Sequence, residues 1–200
     1  DKDISAICKT IEQLDLEVAV FSGHRKGALL HPDAIKVYLL ELKEAVRIAR
    51  ELNCNTLMLL TDELSDDGSI KETYKDLSFF KKKANVVKGL KEACKIAEDN
   101  EINLILEPLN TLVDHPGYYL NSSKLGLEII DEVGSSNLKL LYDIYHMQLM
   151  EGNLINTIIQ NINRIGYFHI ADVPGRHEPG TGEINYENVL QAIKRAGYKG

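Results

Sequence analysis

Apolar runs that end in polar residues recur along the chain: LEVAVF at 16–21, TLMLL at 56–60, INLILE at 102–107, LKLLYD at 138–143 and IGYFHIAD at 165–172. Each is short and mostly apolar, the pattern of a strand buried on both faces. The segments between them carry helical spacing. Residues 34–52 place Ile35, Tyr38, Leu39, Leu42, Ala45, Val46 and Ala49 on one face, and residues 82–99 do the same with Val86, Val87, Leu90, Ala93 and Ala97. The spacing predicts further helices over 122–133 and 153–163, and a last one from Glu187 to about Ala196, stopped by Gly197. The opening residues DKDISAICKT already read as helix. Strand and helix in alternation predict a parallel sheet covered by helices. The polar connection 61–81 is expected to cover one end of that sheet, with the acidic residues of 62–67 and the lysines at 81–83 facing solvent.

Two architectures share this pattern, an open doubly wound sheet and a (β/α)₈ barrel. The first usually carries a glycine-rich turn after its opening strand, and the only candidate, SGHRKG at 22–27, matches neither the dinucleotide fingerprint nor a P-loop. The second needs eight strands and typically about 250 residues, so a barrel reading makes the five strands of this 200-residue chain a part of one.

Composition narrows the picture. The length suits a single domain spanning 1–200, and the net charge of −7 argues against a nucleic-acid partner, which needs a basic surface. Three widely spaced cysteines form neither a disulfide framework nor a zinc motif and read as reduced thiols of a cytoplasmic protein. No apolar run is long enough to span a membrane, so no membrane partner is expected.

Candidate chemistry lies at the strand ends. In both architectures the C-terminal ends of parallel strands face the functional end of the sheet, and three successive strands place Glu107, Asp143 and His169 there. Two carboxylates and an imidazole form a ligand set for Mg²⁺, Mn²⁺, Co²⁺ or Zn²⁺. The alternative is a helix-capping Asp143 and a satisfied core histidine. His146 is three residues past Asp143, too close to the strand end for both to be expected fully buried. The loop DVPGRHEPGTGEINY at 172–186 is dense in turn residues and offers Arg176 as a bidentate clamp for a carboxylate or phosphate. Pro108 should hold Glu107 extended, His24 should line the same mouth, and His31 and His115, each before a proline, should serve turns.

LILEPLNT, LKLLYDIYHMQLMEGNL and IGYFHIADVPGRHEPGTGEINY resemble the hydroxypyruvate isomerase group of the xylose-isomerase-like (sugar isomerase/epimerase) TIM barrels. The likeness is densest from 104 to 198. It implies a cytoplasmic, metal-dependent isomerase that interconverts hydroxypyruvate and 2-hydroxy-3-oxopropanoate, or acts on a related short oxo-acid or ketose, with a divalent cation (Mg²⁺, Mn²⁺ or Co²⁺) as cofactor. On the resemblance, Glu107 is the first metal-binding glutamate and also acts in proton transfer. Asp143 is the second ligand, and His169 takes the third position, where some members carry glutamine. His146 and Arg176 contact substrate. The family's fourth ligand, a second catalytic glutamate at the end of the eighth strand, has no counterpart before Gly200, and Glu183 falls in a loop position. The expectation is therefore an incomplete barrel, strands three to seven of eight, truncated at both ends, from an enzyme that pairs as a homo-oligomer. A non-catalytic binding protein on the same scaffold is the competing reading.

Overall fold

The computed structural model describes residues 3–200. Among the described residues, five parallel strands form one sheet in sequential order: β1 Phe21–Ser22, β2 Thr56–Leu59, β3 Asn103–Leu106, β4 Leu138–Asp143 and β5 Ile165–His169. Seven α-helices of the described residues accompany them: α1 Ile4–Gln13, α2 Pro32–Glu51, α3 Phe79–Glu98, α4 Ser123–Val133, α5 Ile144–Met150, α6 Leu154–Asn161 and α7 Tyr186–Arg195. Sequential order in a parallel sheet requires every connection to cross the same face, as in a barrel wall rather than a doubly wound sheet.

Apart from α5, the helices form where the apolar spacing placed them, and local chemistry sets their starts. Ser78, Ser122 and Asn185 cap α3, α4 and α7 by accepting the N–H of Lys81, Leu125 and Asn188. His31 caps α2 in the same way through Asp33 N–H, and its ring stacks on Tyr74. The buried stripes of α2 and α3 meet Leu57, Leu59, Leu104 and Leu106 in one apolar core.

Strand parity then sorts the side chains. Leu104 and Leu106, Leu138, Leu140 and Tyr142 belong to the helix-packed core, whereas Ile105 and Leu141 are buried outside it, on the opposite face. Continuing the alternation, Glu107 and Asp143 project from that second face. The fifth strand joins them through a one-residue shift. Ile165 pairs with Leu140, yet Tyr167 pairs with Leu141 and His169 with Asp143, so Gly166 is the extra residue of a bulge. Only glycine fits there: a Cβ would lie 2.9 Å from Lys139 Cβ and 3.1 Å from Ile105 Cγ2. The shift turns His169 onto the face of Asp143 and leaves Phe168 edge-on to Tyr142 on the helix side.

Three expectations need correction. The run 16–21 forms ladder pairs only at Phe21, which lies opposite Leu57; in that register residues 16–19 run ahead of the start of β2 at Thr56. Asp62 is not solvent-facing: it is 1% exposed, and its Oδ2 accepts Thr61 Oγ1 at 2.6 Å and Tyr119 N–H at 3.1 Å. The lysines at 81–83 are not simply solvated, since Lys82 donates to the Thr73 carbonyl and Lys83 pairs with Glu128 and Glu132 of α4. The connection 61–81 does pack against the rim: His115 Nδ1 lies 2.8 Å from the Gly68 carbonyl oxygen.

Candidate metal and substrate site

Glu107 and Asp143 are 4% and 3% exposed, and an ionised carboxylate at that burial needs a partner. His169 stands between them. Its Nδ1 lies 3.0 Å from Glu107 Oε1 and 3.8 Å from Asp143 Oδ2. Burial pushes the Glu107 carboxyl above its ordinary range, with the negative Asp143 adding to it and His169 opposing it. The hydrogen bond to Glu107 raises the His169 imidazole in return, against its own burial.

The second layer of the site follows from one helical turn. Asp143 ends β4 and caps α5, its Oδ1 accepting the His146 N–H at 3.0 Å. Three residues on a helix share a face, so His146 folds back beneath the strand end and is fully buried alongside Asp143, contrary to the expectation that both could not be. Its Nε2 lies 3.7 Å from Asp143 Oδ2. Glu107, Asp143 and His146 also bring one ligand-type atom each within 4.8 Å of one another, so two imidazoles border the carboxylate pair. Burial holds the His146 ring down to about 4, which keeps it neutral near pH 7.

Arg176 reaches the same point from the loop after β5. Its Nη2 is 3.3 Å from His146 Nε2, and its guanidinium stacks over Tyr145 at 5.2 Å. The backbone at Arg176 is left-handed, with φ of 59°, a conformation that costs energy outside glycine and is common at sites the surroundings over-determine. Asp172 supplies that determination. Its Oδ1 accepts Val173 N–H and Ile184 N–H, its Oδ2 accepts Gly180 N–H, and its carbonyl accepts Arg176 N–H. Burial works against the Asp172 carboxylate, but these backbone donors outweigh it and hold the carboxyl below its usual range.

Glu107, Asp143, His169, His146 and Arg176 therefore converge. His24 does not join them through any contact: its ring stacks on Tyr38 at 4.0 Å and its Nε2 accepts the Leu60 N–H. Glu183 lies in the exposed loop, where Gln148 donates to it. Residues not singled out from the sequence complete the frame. Tyr118 accepts Thr61 N–H and donates to the Glu107 carbonyl, tying the ends of β2 and β3 together. Asn110 contacts His146, and Asp114 binds Asn110. Asn110 lies inside the LEPLN string, but its role depends on a fold-back that spacing does not encode.

The model of the xylose isomerase-like TIM barrels matches residues 1–200. Hydroxypyruvate isomerase of Escherichia coli (strain K12) is 46% identical over 117 residues, covering 58% of this chain and 45% of that protein. A putative hydroxypyruvate isomerase of Homo sapiens is 32% identical over 160 residues, covering 80% of this chain and 56% of that protein. The 2-oxo-tetronate isomerase of Cupriavidus necator is 39% identical over 118 residues, covering 59% and 45%. The chain thus spans about half the length of these relatives. Among solved structures, an AP endonuclease, family 2, from Brucella melitensis superposes with a TM-score of 0.89 at 24% identity, over all of this chain and 76% of that one. The IOLI protein with a binding zinc atom gives 0.79 at 19% identity, over all of this chain and 71% of that one. At such identities these likenesses show the fold. The five-stranded parallel wall and the family match over residues 1–200 lead to one assignment: the chain belongs to the xylose isomerase-like TIM barrel family.

Proposed function

We propose that this chain carries the metal and substrate site of an isomerase acting on short hydroxy-oxo acids, with hydroxypyruvate and 2-hydroxy-3-oxopropanoate as the interconverting pair. The observation that supports it best is the convergence of two buried carboxylates and the His169 Nδ1, with two N–H donors, His146 and Arg176, beside them. The relatives named as hydroxypyruvate and 2-oxo-tetronate isomerases point to the same substrate class.

The donor set fits a divalent cation. Two carboxylates with few N–H partners repel each other in a buried site, and hard oxygens plus one imidazole suit Mg²⁺, Mn²⁺ or Co²⁺. Glu107, Asp143 and His169 would hold it. When bound, such an ion supplies Lewis acidity toward adjacent carbonyl and hydroxyl oxygens.

Glu107 takes the proton from the hydroxyl-bearing carbon, leaving an enediolate, and the proton returns to the neighbouring carbon while the hydroxyl proton passes between the two oxygens. Burial raises the Glu107 carboxyl above its ordinary range, which strengthens it as a base. Arg176 pairs with the substrate carboxylate, and His146 donates to a substrate oxygen. On this reading the family's second proton-transfer glutamate lies outside the five strands described. The enzyme is cytoplasmic and pairs as a homo-oligomer.

A substrate panel tests the class. With Mg²⁺ or Mn²⁺ present, hydroxypyruvate and 2-oxo-tetronate are expected to turn over in preference to ketohexoses, because only the acids engage Arg176. Equal or better turnover of ketohexoses would refute the assignment to acids.

A further inference from the structure

Asn110 is fully buried in the turn after β3. Its Oδ1 accepts the N–H groups of Val113 and Asp114, each at 3.0 Å, an Asx-type turn. A backbone N–H can only donate, so this end of the side chain is the oxygen and the other is the NH₂. That NH₂ has two hydrogens and two acceptors: Asp114 Oδ2 at 2.6 Å and His146 Nδ1 at 2.7 Å. The Asn110 backbone N–H points at the same His146 Nδ1, at 3.2 Å.

Two donors on one ring nitrogen require that nitrogen to hold its lone pair. The contact excludes the doubly protonated ring and the tautomer with hydrogen on Nδ1, which leaves the hydrogen on Nε2. His146 Nε2–H in turn faces Arg176 Nη2 at 3.3 Å. A guanidinium has no acceptor, so neither group can satisfy the other, and Asp143 Oδ2 at 3.7 Å is beyond hydrogen-bond range of Nε2. What both can share is an acceptor oxygen, best a negative one.

We infer that Asn110 is a positioning residue that locks His146 as an Nε2–H donor, aimed beside Arg176 at the substrate oxygen of the proposed isomerase reading. The lock itself does not rest on that reading. The lock also removes His146 Nε2 as a lone-pair ligand and leaves that role to His169, although both rings border the carboxylates.

The test reads tautomers directly, by long-range proton–nitrogen correlation of histidine imidazoles in labelled protein without substrate. The native chain is expected to show His146 with unprotonated Nδ1 and protonated Nε2; a protonated Nδ1 overturns the lock. The exchange variant Asn110→Asp with Asp114→Asn keeps the charge and the 110–114 hydrogen bond but turns an acceptor toward Nδ1. It is expected to move the hydrogen to Nδ1, whereas Asp114→Asn alone leaves it on Nε2. An unchanged tautomer in the exchange variant, shown folded by its other histidine signals, assigns the residue no control and overturns the inference. Should that variant not fold, Asn110→Ala serves: two exchanging tautomers support the lock, and a single unchanged one overturns it. Lack of isomerase turnover with the tautomer as assigned would count against the functional reading alone.

Discussion

His169 lies directly opposite Asp143 in the β4–β5 ladder, although counting on from Ile165 opposite Leu140 would put Phe168 there. The bulge at Gly166 makes the difference, because a one-residue slip moves every later side chain to the other face. Gly166→Ala places a Cβ 2.9 Å from Lys139 Cβ. The expected result is a loss of about 1–3 kcal/mol from overpacking, together with weaker Mn²⁺ binding as His169 shifts. Urea denaturation and calorimetric Mn²⁺ titration read the two effects; full stability with unchanged Mn²⁺ affinity would show that the bulge tolerates a methyl group.

Removing the His169 ring should weaken metal binding without unfolding the chain, since His169 is 35% exposed in its side chain and sits at the end of the last strand. His169→Ala is expected to lower Mn²⁺ affinity on the order of tenfold or more. In the native chain the affinity should fall with acidification already above the ordinary histidine range, because the Glu107 hydrogen bond raises the imidazole and the ion must displace that proton. A Mn²⁺ affinity independent of pH would exclude His169 as a ligand.

Asp62 is the buried carboxylate that sequence patterning placed in solvent. Burial raises its carboxyl from 3.8 to about 6. A folded pKa above the unfolded one contributes stability that is fully present below the unfolded value and lost as pH rises through the folded value. Native stability attributable to Asp62 should therefore decline between about pH 4 and pH 6, by roughly 3 kcal/mol at most. In Asp62→Asn, whose amide oxygen still accepts from Thr61 and Tyr119, that component should vanish. Chemical denaturation of both proteins at several pH values checks this; parallel pH profiles would contradict it.

Asp172 organises the loop that presents Arg176. Its carboxylate is held below the ordinary range, so its contribution is present above the unfolded pKa and is lost only as pH falls through the lower folded value. Asp172→Ala should therefore accelerate amide hydrogen exchange at Val173, Gly180 and Ile184 at neutral pH, while the strands stay protected. It should also raise KM for an acid substrate more than it lowers kcat. Equal protection in variant and native chain would remove Asp172 from that role.

Much of this organisation was legible in the sequence, and the exceptions have physical causes. The run 138–143 coincides with β4 because it pairs on both sides and alternates between two buried faces. The run 16–21 looked equally strand-like, but pairing depends on where β2 begins. Helix α5 follows β4 without a break, and its seven residues are too few to show a period in the sequence, while its cap, Asp143, is also the candidate ligand. Glu107, Asp143 and His169 were visible as polar residues ending apolar runs. Asn110 and Tyr118 were not, because their partners lie 36 residues away in His146 and at the ends of β2 and β3, and Asp114 reaches the site only through Asn110.

On the proposed reading, Glu107 is the group that removes a carbon-bound proton. That half of the reaction needs one base, and in D₂O it appears as deuterium entering C3 of hydroxypyruvate, followed by proton NMR. With Mg²⁺ the native chain is expected to catalyse this exchange, chelator to abolish it, and Glu107→Gln to reduce it to the uncatalysed rate with the fold intact. Exchange that survives Glu107→Gln, or a folded native chain that leaves C3 untouched with Mg²⁺, Mn²⁺ and Co²⁺ alike, would contradict it.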